Sequence, residues 1–129
     1  MKKKIGVYSI CGVPMEFRID SSVEGGQFSL PSPDIPAGVV LIGWHNNIAE
    51  MAMSLHHELV EMAMMINGHS FEPLHTMQPS TQDRMFSFDH VEFSRFDCEV
   101  ALCFLNIMDE LHKLHKQELD KCRKTRSKK

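Results

Sequence analysis

The chain has 129 residues, of which 43% are hydrophobic and 24% are charged, and this composition is typical of one globular domain. The net charge of −3 does not favour general nucleic-acid binding, and no apolar run approaches the roughly 20 residues that a membrane helix requires. The basic start precedes an apolar run that is short and contains polar residues, so it is predicted to lead into a strand rather than to form a secretion signal. We predict one domain over residues 1–120 and a disordered basic tail over residues 121–129.

The first half of the chain is predicted to form three or four short strands. The first two are separated only by Cys11 and Gly12, which predicts a hairpin. Residues 20–37 are rich in serine, proline and glycine and are predicted to be mostly loop. Four runs are the candidate strands: KIGVYSI (4–10), VPMEFRI (13–19), QFSL (27–30) and GVVLIGW (38–44).

Two amphipathic helices are predicted to follow. Residues 48–67 carry apolar side chains at every third or fourth position, and Asn46 or Asn47 precedes them as the N-cap. Residues 91–121 repeat this pattern after a long polar segment with two prolines. The order predicts an α+β fold, in which a small sheet of three to four strands is packed by a motif helix and a long C-terminal helix.

The first helix contains the sequence HELVE, residues 57–61. His57 and Glu61 are four residues apart, so they point the same way and could reach one metal ion together. Glu58 projects to the side of this pair, where a carboxylate could accept a proton from water. The pattern is also that of the polar side of an ordinary helix. Because the helix is apolar nearly all round, we expect burial on more than one side, and a buried His or Glu needs either a metal or a hydrogen-bonded partner.

The order of these features resembles the minimal zincin-like metallopeptidases of phages and prophages. The shared features are a strand, a short polar link, the helix LHHELVEMAMMIN, a loop, the segment FSFDH and a second long helix. The resemblance covers residues 38–110 and an HExxE...H motif. The matching residues are His57, Glu58, Glu61, Asn67 and His90.

The resemblance implies a metal site and a reaction. His57, Glu61 and His90 would be the metal ligands and Glu58 the general base. Two histidines and a glutamate form a standard catalytic zinc site. The implied function is a zinc-dependent metallopeptidase-like protein of phage or bacterial origin, which hydrolyses a peptide or amide bond with water activated by zinc.

Several alternatives stay open at this point. Glu99 competes with His90 as the third ligand, because a carboxylate on a following helix serves this purpose in related zincins. Two histidines and a carboxylate also form the facial triad of non-haem iron enzymes, so the metal is not fixed, although Glu58 favours hydrolysis. The second hypothesis is a non-catalytic binding protein, such as a phage inhibitor or adaptor, which has no metal or uses one only for stability.

The remaining expectations concern partners and other side chains. We expect a peptide or protein as substrate or target, and neither nucleic acid nor a membrane. The four cysteines lack CxxC or zinc-ribbon spacing, so we expect them to be reduced and the protein to be cytoplasmic. His56 is expected to pack in the core or at its edge, and His112 and His115 to face solvent. The oligomeric state is open, although the long second helix could serve a dimer.

Overall fold

The computed structural model describes residues 1–34, 36–68, 70–71, 85–86 and 90–126, without the side chains of residues 70, 71, 85, 86, 90, 92 and 126. The fold is α+β, as predicted, with a four-stranded mixed sheet and two helices, of which the C-terminal helix is the longer. The elements are β1 (Lys2–Ile10), β2 (Val13–Asp20), β3 (Gly26–Ser29), β4 (Gly38–Ile42), α1 (Ile48–Ile66), β5 (Ser70–Phe71), β6 (Met85–Phe86) and α2 (His90–Arg126).

The four-stranded sheet has the order β1-β2-β4-β3. The central strands β2 and β4 are parallel, and each pairs antiparallel with an edge strand. The predicted hairpin between β1 and β2 is present. Its two turn residues, Cys11 and Gly12, have φ values of 49° and 79°, and two positive φ angles are what a two-residue turn of type I′ requires.

One face of the sheet forms the core with both helices. Alternate residues of β2 and β4 are buried because successive strand side chains point to opposite faces. The helices cover this face with residues spaced three or four apart. The sheet contributes Ile5, Ile10, Met15, Phe17, Ile19, Val40 and Ile42 to the core. The helices contribute Met51, Leu55, Leu59, Met62, Phe96, Val100, Cys103, Ile107 and Leu111.

Helix α1 has the N-terminal cap that the sequence predicts. The side-chain oxygen of Asn47 accepts a hydrogen bond of 3.0 Å from the backbone N–H of Ala49, which satisfies one of the free amides of the first turn. The helix ends at Ile66, and Gly68 follows with a φ of 76°. A left-handed glycine is a common stop after a helix.

Helix α2 continues to Arg126, past the predicted end of the domain at residue 120. Lys121 forms an ion pair of 2.8 Å with Glu118, and Glu118 also accepts a hydrogen bond from Lys3 of β1. The start of the basic segment is therefore helical, and the division of the chain at residue 120 stays a prediction. Over the described ranges, neither helix has an apolar stretch of the length that would cross a bilayer.

The predicted long loop between the helices is described only in part. Ser70 and Phe71 pair antiparallel with Phe86 and Met85, so two short strands lie within the segment. The other residues from 69 to 84, and residues 87–89, lie outside the described residues.

Candidate metal centre and hydrolytic site

The HELVE residues lie in the middle of α1, on the part of the helix that passes the edge strand β3. Strand β4 leads into α1 through residues 43–47, where the ring Nδ1 of His45 accepts a hydrogen bond of 3.0 Å from the backbone N–H of Asn47. The buried stripe of α1 fixes the rotation of the helix against the sheet. That rotation determines where each of the polar residues points.

The structure brings His57 and Glu61 together, as the spacing predicts. His57 Nε2 lies 3.4 Å from Glu61 Oε1. Two ligands bound to one tetrahedral zinc at about 2.0–2.2 Å are separated by about 3.4 Å, so this pair fits two of the four positions. The same distance also suits an ion pair of a protonated histidine with a carboxylate.

The expected burial of this pair is wrong. The His57 side chain is 67% exposed and that of Glu61 is 37% exposed, because both point away from the stripe that packs on the sheet. The argument that burial demands a partner therefore does not apply to His57. It applies to Glu58, which is only 5% exposed.

Glu58 is held between α1 and the start of β3. A Cβ atom placed on Gly26 would lie 2.6 Å from Cγ and 2.7 Å from Oε1 of Glu58, so the carboxylate rests directly on the glycine backbone. The two residues line one cleft of about 400 Å³ together with Gly25, Glu50, Met53, Ser54 and His57. Glu58 thus reaches the cleft from a nearly buried position beside the His57–Glu61 pair.

Burial raises the pKa of Glu58 above its usual value of 4.5, and the negative charge of Glu61 raises this pKa further, while His57 acts in the opposite direction. A carboxylate in such surroundings holds a proton at higher pH than an exposed one. This is the direction in which a general base is tuned for work nearer to neutral pH.

We expect Glu58→Gln to change how stability depends on pH. Because the folded pKa of Glu58 is raised, its contribution to stability is fully present below the unfolded value of about 4.5 and is lost as pH rises through the folded pKa. The variant lacks this loss. Its free energy of unfolding, relative to that of the wild type, should therefore increase between about pH 4 and pH 7. Urea unfolding at both pH values measures this.

The matched control is Glu24→Gln, which changes an exposed carboxylate in the loop before β3. The change in free energy of unfolding of this variant between the two pH values should match that of the wild type. Parallel curves for the wild type and Glu58→Gln would contradict the placement of Glu58.

The structure leaves the third ligand as a prediction. His90 is the first residue of α2, but its side chain lies outside the described residues. Glu99 is exposed and lines a different cleft, of about 690 Å³, with Cys11, Asn67 and Arg95. Among the side chains that are described, no three His, Cys, Asp or Glu residues converge as metal ligands would.

An apolar groove adjoins the pair on the side of α2. It measures about 670 Å³ and is lined by Ala52, Met53, His56, His57, Val60, Glu61, Met64 and Phe104. The His56 ring meets the Phe104 ring edge-on, with centroids 5.8 Å apart, although His56 itself is exposed. The groove would place apolar side chains of a bound molecule next to His57 and Glu61.

The chain matches no protein-family model, no curated protein and no solved structure at a significant level. The candidate site is therefore defined by the geometry of its own residues.

Two features of this region were not predicted from the sequence. Gly26 supports Glu58, although nothing in the motif points to a glycine in a distant loop. The expectation of a solvated His115 is wrong: it is buried, its Nε2 lies 3.1 Å from the carbonyl oxygen of His45, and its ring lies 5.0 Å from that of Trp44. His112 is exposed, as expected. His115 thus anchors α2 to the segment that leads into the site helix.

Proposed function

We propose that the protein is a metal-dependent hydrolase of peptide or amide bonds, of the minimal zincin-like type. His57 and Glu61 hold a divalent metal ion, for which zinc is the best chemical match, and His90 completes the ligand set. The observation that carries the proposal is the position of a buried Glu58 beside a His57–Glu61 pair with the spacing of two zinc ligands.

Each residue has a distinct task in this proposal. A bound zinc ion supplies positive charge that polarises a carbonyl and makes water more acidic. Glu58 accepts a proton from the attacking water and then gives it to the nitrogen that leaves as an amine. The raised pKa of Glu58 suits both steps. Gly26 leaves the space that this carboxylate occupies, because the Cβ of any other residue there would displace it.

The metal site is tested by elemental analysis of the untagged protein after exposure to zinc and removal of free metal. We expect close to one zinc per chain in the wild type, and loss of most of it in His57→Ala and Glu61→Gln because each removes a ligand. His112→Ala, which removes an exposed histidine of α2, is the matched control and should retain the metal. Equal zinc contents in all four proteins would refute the site.

Catalysis is tested separately with Glu58→Gln. This variant should retain zinc and lose hydrolysis of a peptide library, since the amide of a glutamine side chain cannot accept the proton. If zinc binds but chelation only lowers the melting temperature and no hydrolysis is found, the metal serves stability alone.

A binding protein without catalysis is the second candidate, and the apolar groove favours it. Met53 is 69% exposed at the mouth of the groove, and exposed methionine is common on adaptable binding surfaces. In this case Met53→Asp should abolish capture of the peptide or protein partner while Glu58→Gln leaves it unchanged. If the protein is a hydrolase, Glu58→Gln should instead lose turnover in a hydrolysis assay.

A further inference from the structure

The outer face of α2 exposes large apolar side chains. Val91 is 68% exposed, Leu102 65% and Leu105 64%. Since a helix turns by about 100° per residue, these three side chains lie on the side opposite Cys103 and Ile107, which pack in the core. Helix α2 therefore exposes large apolar side chains on a second face, which points away from its own domain.

This face has the spacing of a coiled-coil seam. Its residues alternate at intervals of four and three over about seven turns, which is the a/d pattern of helices that pack side by side. All of these residues are exposed. We call this set the outer stripe: Val91, Arg95, Cys98, Leu102, Leu105, Asp109, His112 and Lys116.

We propose that the outer stripe is the interface of a homodimer, in which α2 packs antiparallel against α2 of a second copy. Leu102 of each copy contacts Leu105 of the other at the centre. The two-fold axis then passes between these leucines, so the same contacts form twice. Moving outward from the centre, Cys98 faces Asp109 and Arg95 faces His112 of the second copy.

Charge selects the antiparallel orientation. In a parallel pair in register, Arg95 would meet Arg95, Asp109 would meet Asp109, and Lys116 would meet Lys116, and each of these contacts joins like charges. In the antiparallel pair, Arg95 faces His112 of the second copy and lies between Asp109 and Lys116, with the oppositely charged Asp109 the nearer of the two along the axis. The symmetry gives this favourable contact at both ends of the interface.

The leucines fix the register. One helix could slide by a full repeat so that Leu102 meets Cys98 of the second copy. The same slide would place Arg95 against Leu105. This slide separates the two leucines and presses a guanidinium group onto an apolar side chain, which loses hydration without a partner. The centred register keeps Leu102 and Leu105 together and places Val91 at the rim, where it faces Lys116 of the second copy.

The oligomeric state tests the interface. Sedimentation equilibrium of the full chain over a roughly hundredfold range around micromolar concentration should show a dimer that dissociates on dilution. Leu102→Asp and Leu105→Asp should be monomeric throughout, while their circular dichroism stays that of the wild type because both side chains are exposed. Asn106→Asp, an exposed change outside the outer stripe, is the matched control and should remain dimeric. A wild-type monomer at every concentration, or leucine variants that still dimerise, would overturn the proposal.

Disulfide trapping tests the orientation. In a Cys122→Ser background, Asp109→Cys should form a disulfide-linked dimer with the native Cys98 of the second copy when an added oxidant takes up the two electrons. Gln117→Cys, on the same helix, should not cross-link. Cys98→Ser should abolish the disulfide-linked dimer of Asp109→Cys.

In the proposed register, Cys98 lies roughly 16 Å along the axis from Cys98 of the second copy, which is too far for a disulfide. A Cys98–Cys98 product as the main species would show a parallel dimer and overturn the orientation. Equal cross-linking of Asp109→Cys and Gln117→Cys would contradict the register.

Discussion

Leu59→Ala should lower the free energy of unfolding by about 2–5 kcal/mol. Leu59 is 0% exposed and lies in the middle of α1, where it packs in the core under the turn that carries Glu58 and Glu61. The substitution removes buried apolar atoms and leaves a cavity that its neighbours fill only partly. Since domains of this size are stable by about 5–15 kcal/mol, this loss should move the urea midpoint strongly.

Met53→Ala is the matched control on the same helix. Met53 is 69% exposed, so its truncation should change the free energy of unfolding by no more than about 0.5 kcal/mol. Urea titrations followed by far-UV circular dichroism compare the two variants directly. Similar midpoints for Leu59→Ala and Met53→Ala would mean that α1 does not dock on the sheet through its Leu59 face.

Gly43→Ala should destabilise the protein by about 1–3 kcal/mol through backbone crowding. The added Cβ would lie 2.4 Å from the carbonyl oxygen of Val23 and 3.0 Å from that of Gly25. The Gly25 oxygen cannot move away freely, because it accepts a backbone hydrogen bond of 2.7 Å from the N–H of Gly43. The crowding would displace the segment that leads to Gly26, so the position of Glu58 should change as well.

Gly12 offers a control with a different physical cause. No heavy atom lies within 4 Å of a Cβ added there, but its φ of 79° is left-handed. Gly12→Ala should cost about 1–2 kcal/mol from this conformation alone, and Gly12→Asn should recover part of the loss because asparagine tolerates it. Gly43→Asn should be at least as unstable as Gly43→Ala. Melting temperatures of the four variants, measured by calorimetry, test this contrast.

The sequence predicts the local elements of this protein better than their arrangement. Alternation in VPMEFRI and the three–four spacing in α1 report which side of each element is apolar, and burial of that side follows directly. The order β1-β2-β4-β3 does not follow, because it depends on pairing between strands far apart in the chain. Helix α2 shows a further limit. The three–four spacing marks Phe96, Val100, Cys103, Ile107 and Leu111 as its core face, and these residues are buried, but the spacing does not explain the apolar residues that α2 leaves exposed.

The candidate site shows the same division. The His57–Glu61 contact follows from helical geometry alone and was predicted. The burial of Glu58 and exposure of His57 depend on the rotation of α1 against β3, which only the assembled fold defines. The contact of Glu58 with Gly26 likewise joins residues brought together by the topology.

The hydrogen bond from Lys3 to Glu118 joins residues 115 positions apart in the sequence. Other residues of α2 also pack against β1. The hairpin is local in the sequence, but the contacts of β1 with α2 can form only after α2 has been synthesised. Contacts of such long sequence separation slow folding, so we expect α2 to dock on β1 after the local hairpin has formed.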